Sequence, residues 1–240
     1  MWLEFNVLTA GWNGHCQKHS FALSPGKFPS SRPGGQQQWQ QRLMNAGGPE
    51  LLLLLEHPAC YTLGRGASLD HLHFNPEHPP APLHRLDRGG EVTHHVPGQL
   101  VAYPIVDLQR HQPDLHWYLR QLEGMVLDLL EQQGLDGERR EGLTGVWLEG
   151  QKVAAIGVGC RRWITQHGLA INVNCDLAGF SAIRPCGLEL PVGRLDQWRP
   201  GLSVPQLQQP LAASCCKRLG WSSVEWINEQ TLLSWLESDG

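Results

Sequence analysis

The stretch GVWLEGQKVAAIGV, at residues 145–158, decides the fold. Two apolar, β-rich runs occupy residues 145–149 and 152–158, and Gly150 lies between them. A glycine that separates two such runs is typical of a β-hairpin, because it adopts the positive φ that tight hairpin turns need. The centre of the chain is therefore predicted to be a β-sheet.

Other segments extend this sheet and add few helices. Residues 51–55 are an unbroken run of leucine, and residues 169–173 are apolar and short, so both are predicted to be buried strands. Leu3, Phe5 and Val7 alternate with polar residues, as in a strand with one wet face. Between residues 114 and 134 apolar residues recur at helical spacing, which predicts a long amphipathic helix.

Several segments lack this periodicity. Residues 13–37 are rich in Gly, Ser, Pro and Gln and are predicted to be a flexible insertion, whereas residues 68–84 are predicted to be a surface loop. Ser203 begins a capping-box pattern for a helix that Pro210 is expected to interrupt, and Asn228 is a candidate helix start. With no repeat and no firm domain boundary, residues 1–240 are expected to form a single domain.

Charge and composition exclude several classes of protein. The net charge of −4 and the pI near 6.3 show no basic excess, so neither nucleic acid nor an anionic membrane is an expected partner. No apolar run approaches the roughly 20 residues that cross a bilayer, and no signal segment is visible, so a cytoplasmic location is expected. The seven cysteines include no C-x-x-C pair, which favours free thiols.

One polar segment has the composition of a binding loop. Residues 88–95 read Arg-Gly-Gly-Glu-Val-Thr-His-His, and they precede the apolar run at residues 100–106. Glycines let backbone N–H groups approach a ligand closely, and Arg88 is suited to hold a phosphate or carboxylate. An ordinary turn with a surface arginine explains the same residues, and the segment alone does not decide between the two.

Lys152 and Cys186 are candidates for nucleophilic chemistry. Lys152 begins an apolar strand, where an ammonium and a nearby thiol can share a proton. Cys186 lies between Pro185 and Gly187, on an expected irregular turn that can present sulfur to a cleft. A lysine at a hairpin edge and a cysteine that fills the core are the alternative interpretations, and Cys175 is the nearest rival nucleophile.

Metal and nucleotide sites are not indicated. The chain has 12 histidines and seven cysteines, but their spacing matches neither zinc fingers nor the H-E-x-x-H pattern. It also lacks the G-x-x-x-x-G-K-[ST] phosphate loop and the G-x-S-x-G nucleophile elbow. The spacing therefore predicts neither a zinc site nor a nucleotide phosphate loop.

Five ordered sequence blocks together resemble the lipoyl(octanoyl) transferase family, also called lipoate-protein ligase B. The resemblance covers about residues 50–190. The blocks are EHP with YTLGR (residues 56–58 and 61–65), RGGEVTHHVPGQ (88–99), KVAAIG (152–157), HGLAIN (167–172) and PCGL (185–188). Val96 departs from the glycine usual after the histidine, and His94 stands where an aromatic residue is common.

The resemblance implies both a fold and a reaction. The fold is an α/β (α+β) architecture with a mixed β-sheet flanked by helices, as in the catalytic domain of biotin and lipoate protein ligases. The reaction belongs to lipoate biosynthesis: octanoyl passes from octanoyl-acyl carrier protein to a lysine of a lipoyl domain, without metal, ATP or other cofactor. The implied acceptors are the lipoyl domains of 2-oxoacid dehydrogenases and the glycine cleavage H protein.

The resemblance also assigns roles to individual residues. Cys186 would form the thioester intermediate, and Lys152 would lower the pKa of its thiol and move protons. The implied acyl pocket consists of three groups: Arg88, Gly89, Gly90, Glu91, Val92, Thr93, His94 and His95; Ala155, Ile156 and Gly157; and Gly168, Leu169 and Ala170. Two alternatives are an ATP-dependent lipoate or biotin ligase of the same fold and a non-catalytic module that binds lipoyl domains.

Overall fold

The hairpin expected around Gly150 forms one edge of a seven-stranded sheet. A computed structural model describes residues 6–10, 50–184, 191–222 and 224–227. Glu149 and Gly150 have φ values of 46° and 84°, as the two central residues of a type I′ turn require. This turn matches the twist of the two strands that it joins, so the predicted hairpin is confirmed.

The larger sheet contains seven strands, and all of its neighbouring strands are antiparallel. The strands are β1 (Asn6–Ala10), β2 (Glu50–Leu55), β6 (Gln99–Ile105), β7 (Val146–Leu148), β8 (Gln151–Arg161), β9 (Ile164–Asn172) and β10 (Val224–Ile227). Their order in the sheet is β10-β1-β2-β6-β9-β8-β7.

A smaller sheet consists of the strands β3 (Cys60–Leu63), β4 (Leu83–Arg85) and β5 (Val92–His95). Their order is β4-β3-β5. β3 pairs with β4 in parallel and with β5 in antiparallel orientation, so the mixed pairing lies in this sheet. Short 3-10 helices occur at Leu69–His71, Leu108–Arg110, Ala178–Ala182 and Leu195–Gln197.

Within the described ranges, two helices cover one face of the larger sheet. Helix α1 (Leu115–Gln132) begins where the Asp114 side chain accepts hydrogen bonds from two backbone N–H groups, and the chain then turns at Gly134 with φ of 71°. Helix α2 (Val204–Leu219) begins with the capping box of Ser203 and ends at Gly220. The long helix predicted between residues 114 and 134 is confirmed.

The two faces of the sheet have different partners. Apolar residues of α1 and α2 join Ile171, Leu169 and Ala102 in the main core. Ala170 and Val101 belong to a separate cluster on the opposite face. Successive side chains of a strand point to opposite faces, so the helices do not cover the face on which Ala170 and Val101 lie. This face is called the free face below.

Other expectations met different outcomes. Residues 68–84 are not loop throughout, because β4 begins at Leu83 and pairs with β3. Pro210 does not interrupt α2: Leu207, Leu211 and Cys215 of this helix are buried in the main core, and this packing offsets one missing backbone hydrogen bond. The predictions for residues 13–37, Leu3, Phe5, Asn228 and Cys186 lie outside the described residues.

Candidate active site

A mostly apolar cavity lies between the free face of the larger sheet and the smaller sheet with its loop. It is lined by the predicted catalytic residue Lys152 and by most of the predicted pocket residues: Arg88, Gly90, Glu91, Val92, Thr93, His95, Ala155, Ile156, Gly157, Gly168, Leu169 and Ala170. Gly89 and His94 are not among the lining residues. The structure thus brings together side chains from β5, β8 and β9 that are distant in sequence.

The floor of the cavity is made of small residues in register. Ala155 pairs with Ala170 and Gly157 pairs with Gly168 across β8 and β9. A Cβ atom at Gly168 would lie 2.2 Å from the carbonyl oxygen of Ala102, so only glycine fits at this position. Because these residues carry at most one methyl group, the sheet has a shallow trough along its free face.

Arg88 holds the roof of the cavity together. Its Nη1 donates to the carbonyl oxygens of Gly89 and Glu91, each at 3.0 Å, and its Nη2 donates to the carbonyl and hydroxyl oxygens of Thr62 at 2.6 and 2.8 Å. The Gly89 N–H in turn donates to the carbonyl oxygen of Val158 at 2.8 Å. The four hydrogen bonds of the guanidinium all go to protein acceptors, so Arg88 stabilises the conformation of the loop. They do not support the expectation that Arg88 binds a phosphate or carboxylate of a ligand.

His94 and His95 are neighbours on β5 but lie on opposite sides of the strand. His95 lines the cavity, whereas His94 stacks on Tyr61 with ring centroids 4.5 Å apart and meets the edge of Phe180 at 5.5 Å. His94 therefore fills an aromatic cluster beneath the smaller sheet, as the common aromatic residue at this position would. His94 therefore does not line the cavity, although it contacts the lining residue Phe180.

Lys152 is a buried cation at one end of the cavity. It is 8% exposed, and its Nζ lies 5.2 Å from the centroid of the Trp147 ring, within the range of a cation–π contact. Gly145 packs against it, since a Cβ at that position would lie 2.7 Å from the Lys152 Cε. Glu123 accepts the Gly145 N–H at 3.2 Å, and this bond holds the glycine in place.

The chain on either side of residues 185–190 is attached to the rest of the site. The Lys152 N–H donates to the carbonyl oxygen of Pro191 at 2.8 Å, and the Gly193 N–H donates to that of Lys152 at 3.0 Å. On the other side, the Arg184 N–H donates to the carbonyl oxygen of His71 at 2.8 Å. Lys152 is thus paired directly with the segment that follows the predicted nucleophile by a few residues.

The rival nucleophile Cys175 is a poor candidate. It is 1% exposed, and burial raises the pKa of its thiol to about 12. Nucleophilic attack requires thiolate, which is scarce at neutral pH when the pKa is this high. The five described cysteines, at positions 60, 160, 175, 215 and 216, are all free thiols.

Three histidines around the cavity are held in the neutral form. Burial lowers the pKa of His57 to about 4, with a smaller contribution from the nearby His167 ring, and burial followed by the charge of Arg88 lowers that of His167 to about 4. The pKa of His95 is well below 6.5, chiefly because the ring is buried. Within the described part of the chain, no group of three or more His, Cys, Asp or Glu side chains is arranged to hold a metal.

Sequence reasoning missed seven residues of the cavity wall. They are Leu86, Gln99, Tyr103, His167, Asn172, Phe180 and Val192. Gln99, His167 and Asn172 stand at the ends of the sequence blocks quoted above, so the signal was present, but no role followed from it. Tyr103 and Phe180 carry no signal in the sequence, because their contribution depends on the packing of the two sheets.

Comparison with known proteins decides the family. A model of the lipoyl protein ligase A/B catalytic domain matches residues 33–215. The chain belongs to this family. The octanoyltransferase of Synechococcus sp. (strain WH7803) is 64% identical over 192 residues, which are 77% of this chain and 78% of that protein. The octanoyltransferase of Prochlorococcus marinus (strain MIT 9313) is 64% identical over 187 residues, 77% of each chain. These relatives confirm the prediction of an acyltransferase.

Solved structures confirm the predicted fold. A bipartite lipoate protein ligase from Thermoplasma acidophilum superposes with a TM-score of 0.64 at 17% identity, over 83% of this chain and 84% of that one. A lipoate-protein ligase A bound with ATP gives 0.61 at 17% identity, over 83% and 86%. At this identity the likeness concerns the fold. Within the described residues, no helix is both long and apolar enough to span a bilayer.

Proposed function

We propose that this chain transfers octanoyl from octanoyl-acyl carrier protein to lysine amines of lipoyl domains, through a thioester on Cys186. Octanoyl transfer is the activity named for relatives that share 64% of their residues with this chain. The acceptors are the lipoyl domains of 2-oxoacid dehydrogenases and the glycine cleavage H protein. The observation that carries the proposal is an apolar cavity with a buried lysine at one end, paired to the chain next to the cysteine block.

The cavity suits a medium-length acyl chain. Its floor is the trough of Ala155, Gly157, Gly168 and Ala170, and its walls are largely apolar. Each methylene that leaves water contributes about 0.8 kcal/mol. Discrimination between acyl chains that differ by one carbon is therefore modest. The far end of the trough sets the longest acyl chain that the cavity accepts.

The first half-reaction exchanges one thioester for another. The Cys186 thiolate attacks the carbonyl carbon of the donor, a new C–S bond forms, and the bond to the carrier sulfur breaks. The departing carrier thiolate takes a proton from the Lys152 ammonium. Since both sides contain one thioester, the exchange is nearly balanced in free energy.

The second half-reaction forms an amide. The lysine amine of the lipoyl domain attacks the acyl-enzyme, the C–S bond to Cys186 breaks, and the neutral Lys152 amine recovers a proton. An amide is more stable than a thioester, so this step drives the overall transfer. Neither step consumes a nucleotide.

Intact mass spectrometry tests the proposal. The protein is incubated with octanoyl-acyl carrier protein in the presence of a chelator and without nucleotide, and we expect one octanoyl adduct on Cys186. Cys186→Ala should form no adduct and transfer no octanoyl. The matched variant Cys175→Ala should form the adduct and transfer octanoyl as the wild type does. An adduct on Cys175, full activity of Cys186→Ala, or use of free octanoate only with ATP would contradict the proposal.

A further inference from the structure

The cavity has two ends that lie along strand β8. Lys152 lies at one end, and Gly157 lines the cavity further along the same strand. Just beyond Gly157, the loop that leads from β4 to β5 crosses the strand, and the Gly89 N–H donates to the carbonyl oxygen of Val158 at 2.8 Å. The loop therefore covers the trough at the end that is distant from Lys152.

The loop and the sheet are in close contact at this crossing. A Cβ atom at Gly157 would lie 3.0 Å from the carbonyl oxygen of Gly89, and one at Gly159 would lie 2.6 Å from that of Asp87. Gln166, which pairs with Gly159 on the neighbouring strand, donates from Nε2 to the same Asp87 oxygen at 3.0 Å. Because not even a methyl group fits at Gly159, an acyl chain cannot pass between the loop and the sheet there.

Three side chains line the cavity at this closed end: Leu86, Tyr103 and His167. Leu86 directly precedes Asp87 in the crossing loop, and His167 lies on β9 opposite the crossing. The Tyr103 ring meets the His167 ring edge to face, with centroids 6.1 Å apart. These three side chains form the end wall of the cavity.

The members of the end wall differ in how they are held. The Tyr103 hydroxyl is 2.8 Å from His57 Nε2, and His167 is 5% exposed with a φ of 60°, which few side chains adopt. The Leu86 N–H donates to the carbonyl oxygen of Leu63 at 2.8 Å, so the backbone of the loop is fixed as well. The Leu86 side chain is aliphatic, so its size can change without leaving a buried polar group unpaired.

We propose that Leu86 is the stop for the acyl chain and determines the longest donor that the cavity accepts. The proposal rests on the function proposed above, which places the thioester at the Lys152 end and the acyl chain in the trough. The last carbon atoms of a medium-length chain then lie against the Leu86 side chain. A longer chain must displace this side chain or leave its extra methylenes in water, where they lose the stabilisation that burial gives.

The length preference of Leu86→Ala tests the inference. The substitution shortens the side chain of the end wall and keeps the backbone hydrogen bonds of the loop. Decanoyl- and octanoyl-carrier protein compete for the enzyme, and mass spectrometry of the lipoyl domain measures the ratio of the two products. We expect the ratio of kcat/KM for decanoyl over octanoyl donors to rise about 10-fold above that of the wild type. A loss of stability alone would slow both donors and leave this ratio unchanged.

Leu86→Phe tests the opposite direction. The phenyl ring extends further into the cavity, so the ratio of kcat/KM for hexanoyl over octanoyl donors should rise about 10-fold. This variant fills space instead of creating a void, so it also serves if Leu86→Ala does not fold.

Leu83→Ala is the matched control. Leu83 lies on β4, packs against the cluster that contains Tyr61 and Leu63, and does not line the cavity. The same truncation at this position should lower Tm and leave both ratios at the wild-type value.

Two results would overturn the inference while the proposed function stands. They are an unchanged ratio in either folded Leu86 variant and an equal change of ratio in Leu83→Ala. Absence of an octanoyl adduct on the wild type would overturn the proposed function, and this inference with it.

Discussion

The ammonium of Lys152 lies against an aromatic ring and has little contact with water. Trp147 is fully buried below it, and Gly145 leaves the space that the lysine stem occupies. An aromatic face attracts a cation but has no full charge of its own, so the ring does not neutralise the ammonium. The ammonium therefore lies at the wall of the cavity, against the face of the Trp147 ring.

Replacement of Lys152 should change the ionisation of Cys186. Lys152→Met removes the charge and keeps most of the apolar stem, so iodoacetamide labelling of Cys186 should shift to higher pH, towards the reference thiol pKa of about 8.5. Lys152→Arg keeps a charge but stays protonated, so it should restore labelling better than turnover. The measurement is the pH profile of alkylation for the three proteins. Superimposable curves would show that Lys152 does not tune this thiol.

Two adjacent histidines show the limit of sequence reasoning at the residue scale. His94 and His95 have the same chemistry, and the family resemblance assigns both to the pocket. The strand places His95 in the cavity and His94 against Tyr61 and Phe180. Alternation along a strand predicts that one of them faces inward, but which one depends on the register of β5 with β3.

At the scale of elements, the paired strands β8 and β9 determine the depth of the cavity. Ala170→Val adds two methyl groups to the trough opposite Ala155, and we expect it to shift selectivity towards shorter chains. The ratio of kcat/KM for hexanoyl over octanoyl donors should rise by about 10-fold, since one methylene is worth about 1–3 kcal/mol in an apolar pocket. Competition between hexanoyl- and octanoyl-carrier protein measures this ratio directly.

Ala154→Val is the matched control for this prediction. Ala154 adjoins Ala155 on β8 but belongs to the core beneath the helices. The same substitution should lower Tm through overpacking and leave the hexanoyl to octanoyl ratio unchanged. A change of the hexanoyl to octanoyl ratio in both variants would mean that the trough does not determine the preferred length of the acyl chain.

Elements that depend on neighbouring residues could be predicted from the sequence. The hairpin at Gly150 and helix α1 follow from turn chemistry and periodicity, which act within a few residues. The smaller sheet could not be predicted in this way, because β4 lies in a proline-rich segment and is defined by its pairing with β3. β9 begins at Ile164, earlier than expected, after a turn in which Arg162 and Trp163 adopt positive φ without any glycine.

At the scale of the whole molecule, buried neutral histidines make stability depend on pH. The pKa of His167 falls from 6.5 to about 4 on folding, so between these values the unfolded chain binds a proton that the folded chain does not. The stability that the neutral His167 ring contributes is fully present above pH 6.5 and is lost as the pH falls towards 4. Its slope is about 1.4 kcal/mol per pH unit for each such histidine.

Urea unfolding measured between pH 4 and pH 7 checks this dependence. The free energy of unfolding should fall steeply as the pH drops. His167→Asn should reduce the slope of this curve by the amount that one histidine contributes, about 1.4 kcal/mol per pH unit. Asparagine tolerates the φ of 60° found at this position. His78→Asn, in an exposed loop, should leave the slope unchanged. Parallel curves for all three proteins would disprove the assignment.

The site as a whole depends on contacts that span the chain. Lys152 meets Pro191 and Gly193 through the backbone, and Asn172 reaches Gly193 through its side chain. Periodicity carries no information about such pairs. The sequence predicted these roles only because several motifs occur in the order typical of one family.

The trough of glycine and alanine has a consequence for how the enzyme can diverge. Gly157 and Gly168 have no side chain to lose, and Ala155 and Ala170 have only a methyl group. Nearly every inherited substitution at these four sites adds atoms. A single substitution at Ala155 or Ala170 is therefore enough to shorten the trough, whereas only glycine fits at Gly168 and a longer trough requires changes in the residues around it.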